Sequence, residues 1–208
     1  MPDKSKVSFR LLFITDRKLS RQKLTNIVEE VYRTGVKAVQ LREKDLPASE
    51  LLKIARDIKK IAGRSLLLIN DRLDIGLLSK ANGVHSPEKG LSPHQILKFD
   101  PSLIAGKSVH SLHQAKIAEK SGFDYILFGP VFRTPAKVKY GSPLGLEELR
   151  KICLAVNIPV FAVGGISPDR VKKCLASGAY GVAVIRAIMR SHNITKIVNE
   201  FKTELGSL

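Results

Sequence analysis

The residues with the most chemistry in this chain stand at alternate positions in Gln40-Leu41-Arg42-Glu43-Lys44. In an extended segment, period-two alternation puts Gln40, Arg42 and Lys44 on one side. Two cations converging there suit phosphate or pyrophosphate, with arginine binding in a bidentate manner and lysine as a point charge. The competing account is a surface ion pair with Glu43 or Asp45. Asn70-Asp71-Arg72 offers a carboxylate that can hold Mg²⁺ and an amide that can bond a substrate; Asp71 suits the cap of a following helix equally well. Ser108-Val109-His110 supplies a candidate general acid/base in His110, histidine being the usual side chain for that role, or else a hydrogen-bonded structural histidine. His85 is a weaker candidate of the same kind. His94, His113 and His192 read as solvent-facing helix residues. Thr134 and Lys137 add a hydroxyl and a cation. Gly164-Gly165-Ile166 and Ile185-Arg186-Ala187 close the last two apolar runs, where free backbone N–H groups can cup a phosphate. A Gly-Gly pair is also a plain tight turn.

These residues all sit where an apolar run gives way to polar residues or glycine. The runs Ser8–Thr15, Lys37–Arg42, Leu66–Asn70, Gly83–His85, Leu103–Val109, Tyr125–Phe128, Pro159–Val163 and Val182–Ile185 read as strands. Between them lie helical patterns. Ser20–Arg33 carries the stripe Leu24, Ile27, Val28 and Val31, and Pro47 opens a helix with Leu51, Leu52, Ile54, Ala55 and Ile58 on one face. Ser92 and Pro93 mark an N-cap and first helical position. Further helices are expected over Arg72–Ser79, Ser111–Lys120, Leu146–Val156, Pro168–Ala176 and Ile194–Leu205. Eight strand–helix units with short links favour α/β architecture, a closed (β/α)8 TIM barrel formed as one domain over residues 1–208, rather than an open doubly wound sheet. In such a barrel the functional groups lie beyond the C-terminal ends of the strands. The long loop Gly129–Pro143 falls at that end and is a lid candidate. No GxGxxG follows the first strand, which argues against a dinucleotide site.

Composition excludes little but directs the choice. The chain has 208 residues, 44% hydrophobic and 26% charged, as in ordinary globular domains. No apolar run is long enough to span a bilayer, and Met1–Phe9 is too polar for a signal segment. A cytoplasmic protein is expected, with Cys153 and Cys174 as buried thiols rather than a disulfide. The formal charge of +16 raises nucleic-acid binding. The cations are scattered, however: Lys53, Arg56, Lys59, Lys60, Arg64, Lys116, Lys120, Lys151, Arg170, Lys172 and Lys173 fall mostly on polar helix sides, without aromatic residues interleaved. A solvated outer ring and a site for anionic substrates are expected instead, with neither nucleic acid nor membrane as partner. Homo-oligomerisation is open.

The segments QLREK, LLLINDRLDI, GVHS, GKSVHSL, FGPVFRTPAK, PLGLEELRKI, IPVFAVGGI and GAYGVAVIRAI, in order from about Ser8 to Ile188, resemble the thiamine phosphate synthase family, which includes TenI-type thiazole tautomerases. The resemblance implies a (β/α)8 barrel and one of two activities. A synthase joins hydroxymethylpyrimidine diphosphate to thiazole phosphate and releases pyrophosphate. It would use Gln40, Arg42, Lys44, Asn70, Ser108 and Lys137 around the diphosphate, Asp71 on Mg²⁺, and Thr134, Gly165, Ile185 and Arg186 around the thiazole phosphate. A tautomerase moves a proton on the thiazole carboxylate phosphate, with His110 as acid/base and no metal cofactor. The chain departs from the synthase pattern at three places. Gly90 stands where a second metal-binding Asp is usual, with Glu88 nearby; Ala136 replaces a Thr; Arg186 replaces a Ser. Loss of a carboxylate weakens a Mg²⁺ site. On these departures the tautomerase is the favoured expectation and the synthase the alternative.

Overall fold

The computed structural model describes residues 6–134 and 142–206. Eight parallel strands close into a barrel in sequence order: β1 Leu11–Ile14, β2 Ala38–Leu41, β3 Leu66–Asn70, β4 Gly83–Ser86, β5 Ile104–Val109, β6 Tyr125–Phe128, β7 Val160–Val163 and β8 Gly181–Val184. The ring is sealed where Leu11, Leu12 and Phe13 of β1 pair with Val182, Ala183 and Val184 of β8. Helices follow the strands: α1 Leu24–Arg33, α2 Ala48–Ile61, α3 Leu73–Leu78, α4 Pro93–Leu97, α5 Leu112–Lys120, α6 Gly145–Ala155, α7 Pro168–Ala176, α8 Arg186–Met189 and α9 Ile194–Leu205.

The expected helical stripe holds. Leu24, Ile27, Val28 and Val31 of α1 are buried against the barrel, as are Leu51, Ala55 and Ile58 of α2. Each of these Leu, Ile and Val side chains contributes about 1.5–3 kcal/mol on full burial. Ser92 caps α4 through a capping box with Gln95, and Pro93 follows at its first position. Boundaries moved by a residue or two at most elements and furthest at two. The ladder of β1 begins only at Leu11, and α1 starts at Leu24 rather than Ser20. Two single turns were not foreseen: a 3₁₀ turn at Arg17–Leu19, and α8. One turn is too short to show a helical period.

Strand alternation divides the core in two. One set of residues packs outward under the helices. The other fills the barrel, including Phe9, Leu12, Ile14, Leu68, Tyr125, Leu127 and Phe161. The rings of Phe9, Tyr125 and Phe161 pack together with centroids 5.2–5.9 Å apart. Gly106 of β5 makes room for this cluster, because a Cβ there would lie 2.2 Å from Cζ of Tyr125. Both cysteines are free: Cys174 is buried and Cys153 half-buried, and burial pushes each thiol up to about 11. His94 and His113 are exposed on helices, and His192 is exposed in the link between α8 and α9. No helix among the described residues is long and apolar enough to cross a membrane.

Candidate active site

The aromatic cluster leaves the other end of the barrel open as a cavity of about 730 Å³. Gln40, Arg42, Lys44, Asn70, Ser108, His110, Thr134, Gly165, Ile185 and Arg186 all line it. One fold thus gathers ten of the twelve residues picked out by sequence. Of the remaining two, Lys137 lies outside the described residues, as do residues 135–141 of the lid candidate loop. Asp71 is exposed and borders a separate shallow depression with Arg72, Asp74, Lys89 and Gly90.

On the β2 side, Gln40 is only 1% exposed. Its Nε2 donates to Asn70 Oδ1 at 3.1 Å, while its Oε1 is buried with no partner among the described residues. The surface ion pair weighed above takes another form. Glu43 and Asp45 engage Arg17, at 3.5 and 2.8 Å, and Lys18 adds a contact to Asp45 at 3.0 Å. Glu43 is buried beneath the mouth and accepts from the Thr15 hydroxyl at 2.7 Å and from the Arg17 N–H at 3.0 Å. Thr15 Oγ1 in turn accepts from the Arg42 N–H at 2.9 Å, so the Glu43 carboxylate ties the β1 loop to the backbone that carries Arg42. Burial pushes the Glu43 carboxyl upward, partly offset by the Thr15 and Arg17 hydrogen bonds.

On the β4–β5 side, His85 is fully buried between Tyr125 Oη, 3.0 Å from Nδ1, and Ser108 Oγ, 2.8 Å from Nε2. Desolvation, reinforced by the positive charges of Lys107 and Arg42, pulls it down to about 3, so it is neutral near pH 7. His110 Nδ1 donates to the Gly129 carbonyl at 2.5 Å. A carbonyl can only accept, so the Nδ1 of a neutral His110 carries the hydrogen and its Nε2 keeps a lone pair that no described residue engages. The His110 N–H donates to Gln114 Oε1, and Gln114 Nε2 donates to Glu88 Oε1, both at 2.7 Å.

The β6–β8 side adds cations that sequence reasoning passed over. Arg170 was placed among the solvated helix charges, but it lines the cavity from the first turn of α7. It donates to the Gly165 carbonyl at 2.6 Å and its guanidinium stands 4.8 Å from the centroid of the Phe132 ring. Arg133 lines the same wall. Proximity to the Gly-Gly turn was the available signal, since Arg170 follows Gly165 by one loop and one helical turn. Gly165 has φ +67°, and a Cβ there would lie 2.7 Å from the Arg133 carbonyl oxygen, so the turn is restricted to glycine. Among the described residues the lining carries Arg42, Lys44, Arg133, Arg170 and Arg186 against only Asp16 and Glu88. That balance suits an anionic occupant.

The described residues form no all-protein cage for Mg²⁺, which is ordinarily held by one or two carboxylates together with substrate phosphates. No group of three or more His, Cys, Asp or Glu side chains comes together among the described residues. The carboxylate of Asp74 is held by Arg72 at 2.5 and 2.9 Å, which leaves Asp71 as the acidic candidate in that depression. Asp71 is not the helix cap weighed above either, since the cap position of α3 is Arg72, without a side-chain cap bond. Its backbone is left-handed at φ 68°, with its N–H on the His85 carbonyl. Gly90 closes a turn onto the Pro87 carbonyl, and a Cβ there would lie 2.6 Å from Pro87 Cδ. The loop as folded has no room for a side chain at the place where the family pattern has a second carboxylate.

Residues 11–188 match the family model for thiamine monophosphate synthase. The chain belongs to that family. A thiamine-phosphate synthase of Moorella thermoacetica is 40% identical over 163 residues, 77% of this chain and 78% of its own. That of Pyrococcus furiosus is 36% identical over 195 residues, 93% of each chain. The solved thiamine phosphate pyrophosphorylase from Pyrococcus furiosus superposes with a TM-score of 0.86 at 35% identity, covering 97% of this chain and 96% of that one. Family membership makes this protein an enzyme of thiamine biosynthesis. These two relatives carry the synthase name and the solved structure is named a pyrophosphorylase, and these names support the alternative over the expectation favoured from the three sequence departures.

Proposed function

We propose that this protein is a thiamine-phosphate synthase, which joins hydroxymethylpyrimidine diphosphate to thiazole phosphate. Gln40 carries the reading beyond family likeness. Its Oε1 is a buried acceptor without a donor among the described residues, in a cationic cavity. Phosphate oxygens only accept, so they cannot satisfy it; an amino group on a heterocycle can. The pyrimidine substrate carries such a group. Gln40 would therefore read the ring, rather than belong to the diphosphate set in which the resemblance placed it. Arg42 and Lys44, next along the same strand end, would then meet the diphosphate. Arg133, Arg170, Arg186 and the Gly164–Gly165 turn would hold the thiazole phosphate across the cavity.

In the proposed reaction the bond between the pyrimidine methylene carbon and the diphosphate oxygen breaks, and its electron pair leaves with pyrophosphate. The thiazole nitrogen then gives its lone pair to that carbon, forming the new C–N bond. Arg42 and Lys44 would stabilise the charge that develops on the leaving oxygen. No step is assigned to Mg²⁺. The test supplies both substrates, with and without Mg²⁺, and measures products. Thiamine phosphate and pyrophosphate in equal amounts, lost in Arg42→Ala, are expected; no product at saturating substrates would sink the reading.

One observation favours a second activity, thiazole tautomerisation. The Gly129 carbonyl holds His110 so that Nε2 is free to take a proton inside the cavity. Supplying each thiazole carboxylate phosphate tautomer alone separates the two activities. Aromatisation that survives His110→Asn at the unmodified rate would remove His110 from the role.

A further inference from the structure

We propose that a buried Tyr125–His85–Ser108 hydrogen-bond chain sets the Ser108 hydroxyl as a donor into the cavity, which makes His85 and Tyr125 positioning residues for an anionic substrate group. The proposal rests on the reading of the cavity as an anion-binding site. Neither Tyr125 nor His85 belongs to the residue set assigned above to the pyrimidine or the two phosphate groups.

The chain has two possible polarities. His85 Nδ1 is 3.0 Å from Tyr125 Oη, and Nε2 is 2.8 Å from Ser108 Oγ. Neutral imidazole has one N–H and one lone pair, so one contact donates and the other accepts. If Nδ1 carried the hydrogen, it would donate to Tyr125 Oη. The tyrosine O–H would then need a separate acceptor. Tyr125 is fully buried among Phe9, Phe161 and Gly106, and among the described residues its oxygen has no other hydrogen-bond partner. A buried hydroxyl hydrogen without an acceptor is costly.

The opposite polarity satisfies every group. Tyr125 O–H donates to Nδ1, and Nε2–H donates to Ser108 Oγ. Ser108 has then received its hydrogen bond from inside the barrel, and its own O–H is left for the cavity that the residue lines. A phosphate or diphosphate oxygen is a pure acceptor, so this is the polarity that an anionic ligand requires. The barrel is shaped for the arrangement: the Tyr125 oxygen occupies space that a Cβ at Gly106 would take, at 2.4 Å. Burial keeps His85 from taking a second proton, which would remove the acceptor that Tyr125 needs.

The test reads the chain directly. Long-range ¹H–¹⁵N NMR of the unliganded, ¹⁵N-labelled full chain near pH 7 should show His85 as the Nε2–H tautomer. An Nδ1–H tautomer or an imidazolium overturns the proposal. Calorimetry with inorganic pyrophosphate supplies the functional arm. Ser108→Ala and Tyr125→Phe should each weaken binding about 10- to 150-fold, the scale of one hydrogen bond to a charged group. The double variant should be no weaker than Ser108→Ala alone, because Tyr125 acts through Ser108. Additive losses, or undiminished binding in a folded Tyr125→Phe, overturn it. Should Tyr125→Phe fail to fold, the tautomer of the unmodified protein still decides. Neither arm uses a thiamine precursor, so failure here leaves the reaction assignment intact, and failure to make thiamine phosphate leaves this chain intact.

Discussion

Gly90→Asp restores the carboxylate of the family pattern, and the local geometry sets its cost. A Cβ at residue 90 would lie 2.6 Å from Pro87 Cδ and 3.1 Å from both Pro87 Cγ and Pro87 N. Ordinary contact begins at distances well above the first of these, so either the turn or the proline ring must shift. The Gly90 N–H bond to the Pro87 carbonyl, at 2.9 Å, is the element that would strain. Forcing atoms into a packed position typically costs about 1–3 kcal/mol. For a chain of this size, that lowers the melting temperature by about 2–12 °C. Differential scanning calorimetry measures it. Pro87→Ala removes Cγ and Cδ and leaves the contact to the backbone nitrogen. The double variant should therefore recover most of the loss, and the two substitutions should be non-additive. The same pair addresses the metal. The new carboxylate would border the same depression as Asp71, so the double variant should bind Mg²⁺ more tightly by calorimetry than the unmodified chain. A Gly90→Asp protein that melts with the unmodified one would refute the steric account of this loop.

Arg170→Ala removes a cation that the Gly165 carbonyl and the Phe132 ring hold in place. It should raise KM for the phosphate-bearing thiazole about 10- to 150-fold, the equivalent of one charge-assisted hydrogen bond, in steady-state kinetics; an unchanged KM would place Arg170 outside the substrate contacts. Glu43→Gln should alter the pH dependence of stability. Burial raises the folded carboxyl, so the folded state binds the proton more tightly, and stability relative to the variant should fall as pH rises from about 4.3 through the higher folded pKa. Urea unfolding across that range checks the sign, and a difference that grows with pH contradicts it. Gly106→Ala places a Cβ 2.2 Å from the Tyr125 ring carbon and should destabilise the fold by about 1–3 kcal/mol in the same assay; no loss would mean that the ring can move.

The barrel was legible because each strand has to be apolar on both faces. One face packs under a helix and the other fills the barrel, so the strands stand out as short continuous apolar runs. Their polar ends then named the mouth. Gln40, Arg42, Lys44, Asn70, Ser108 and His110 were found this way, and all of them line the cavity. Arg170 was not found. It stands on a helix, where its spacing matches that of a solvent-facing cation, and only the turn of Gly164–Gly165 brings it inward. His85 was ranked low because sequence cannot show that Tyr125, on β6, reaches across to it. The choice of reaction was harder to read. Gly90, Ala136 and Arg186 suggested a tautomerase, whereas the likeness of the whole chain to named synthases supports the synthase.

The sequence by itself determined the eight-fold alternation, the outward helical stripes and the cations at the end of β2. These depend on local periodicity, which is written in the order of residues. Only the tertiary structure decided three further points: that Glu43 and Asp45 serve Arg17 rather than Arg42, and that, among the described residues, Gln40 carries an acceptor with no donor and His110 Nε2 has no partner. Each turns on which polar group meets which across neighbouring strands and loops. Hydrogen bonds run between groups distant in sequence, and their direction is set by what else is buried beside them.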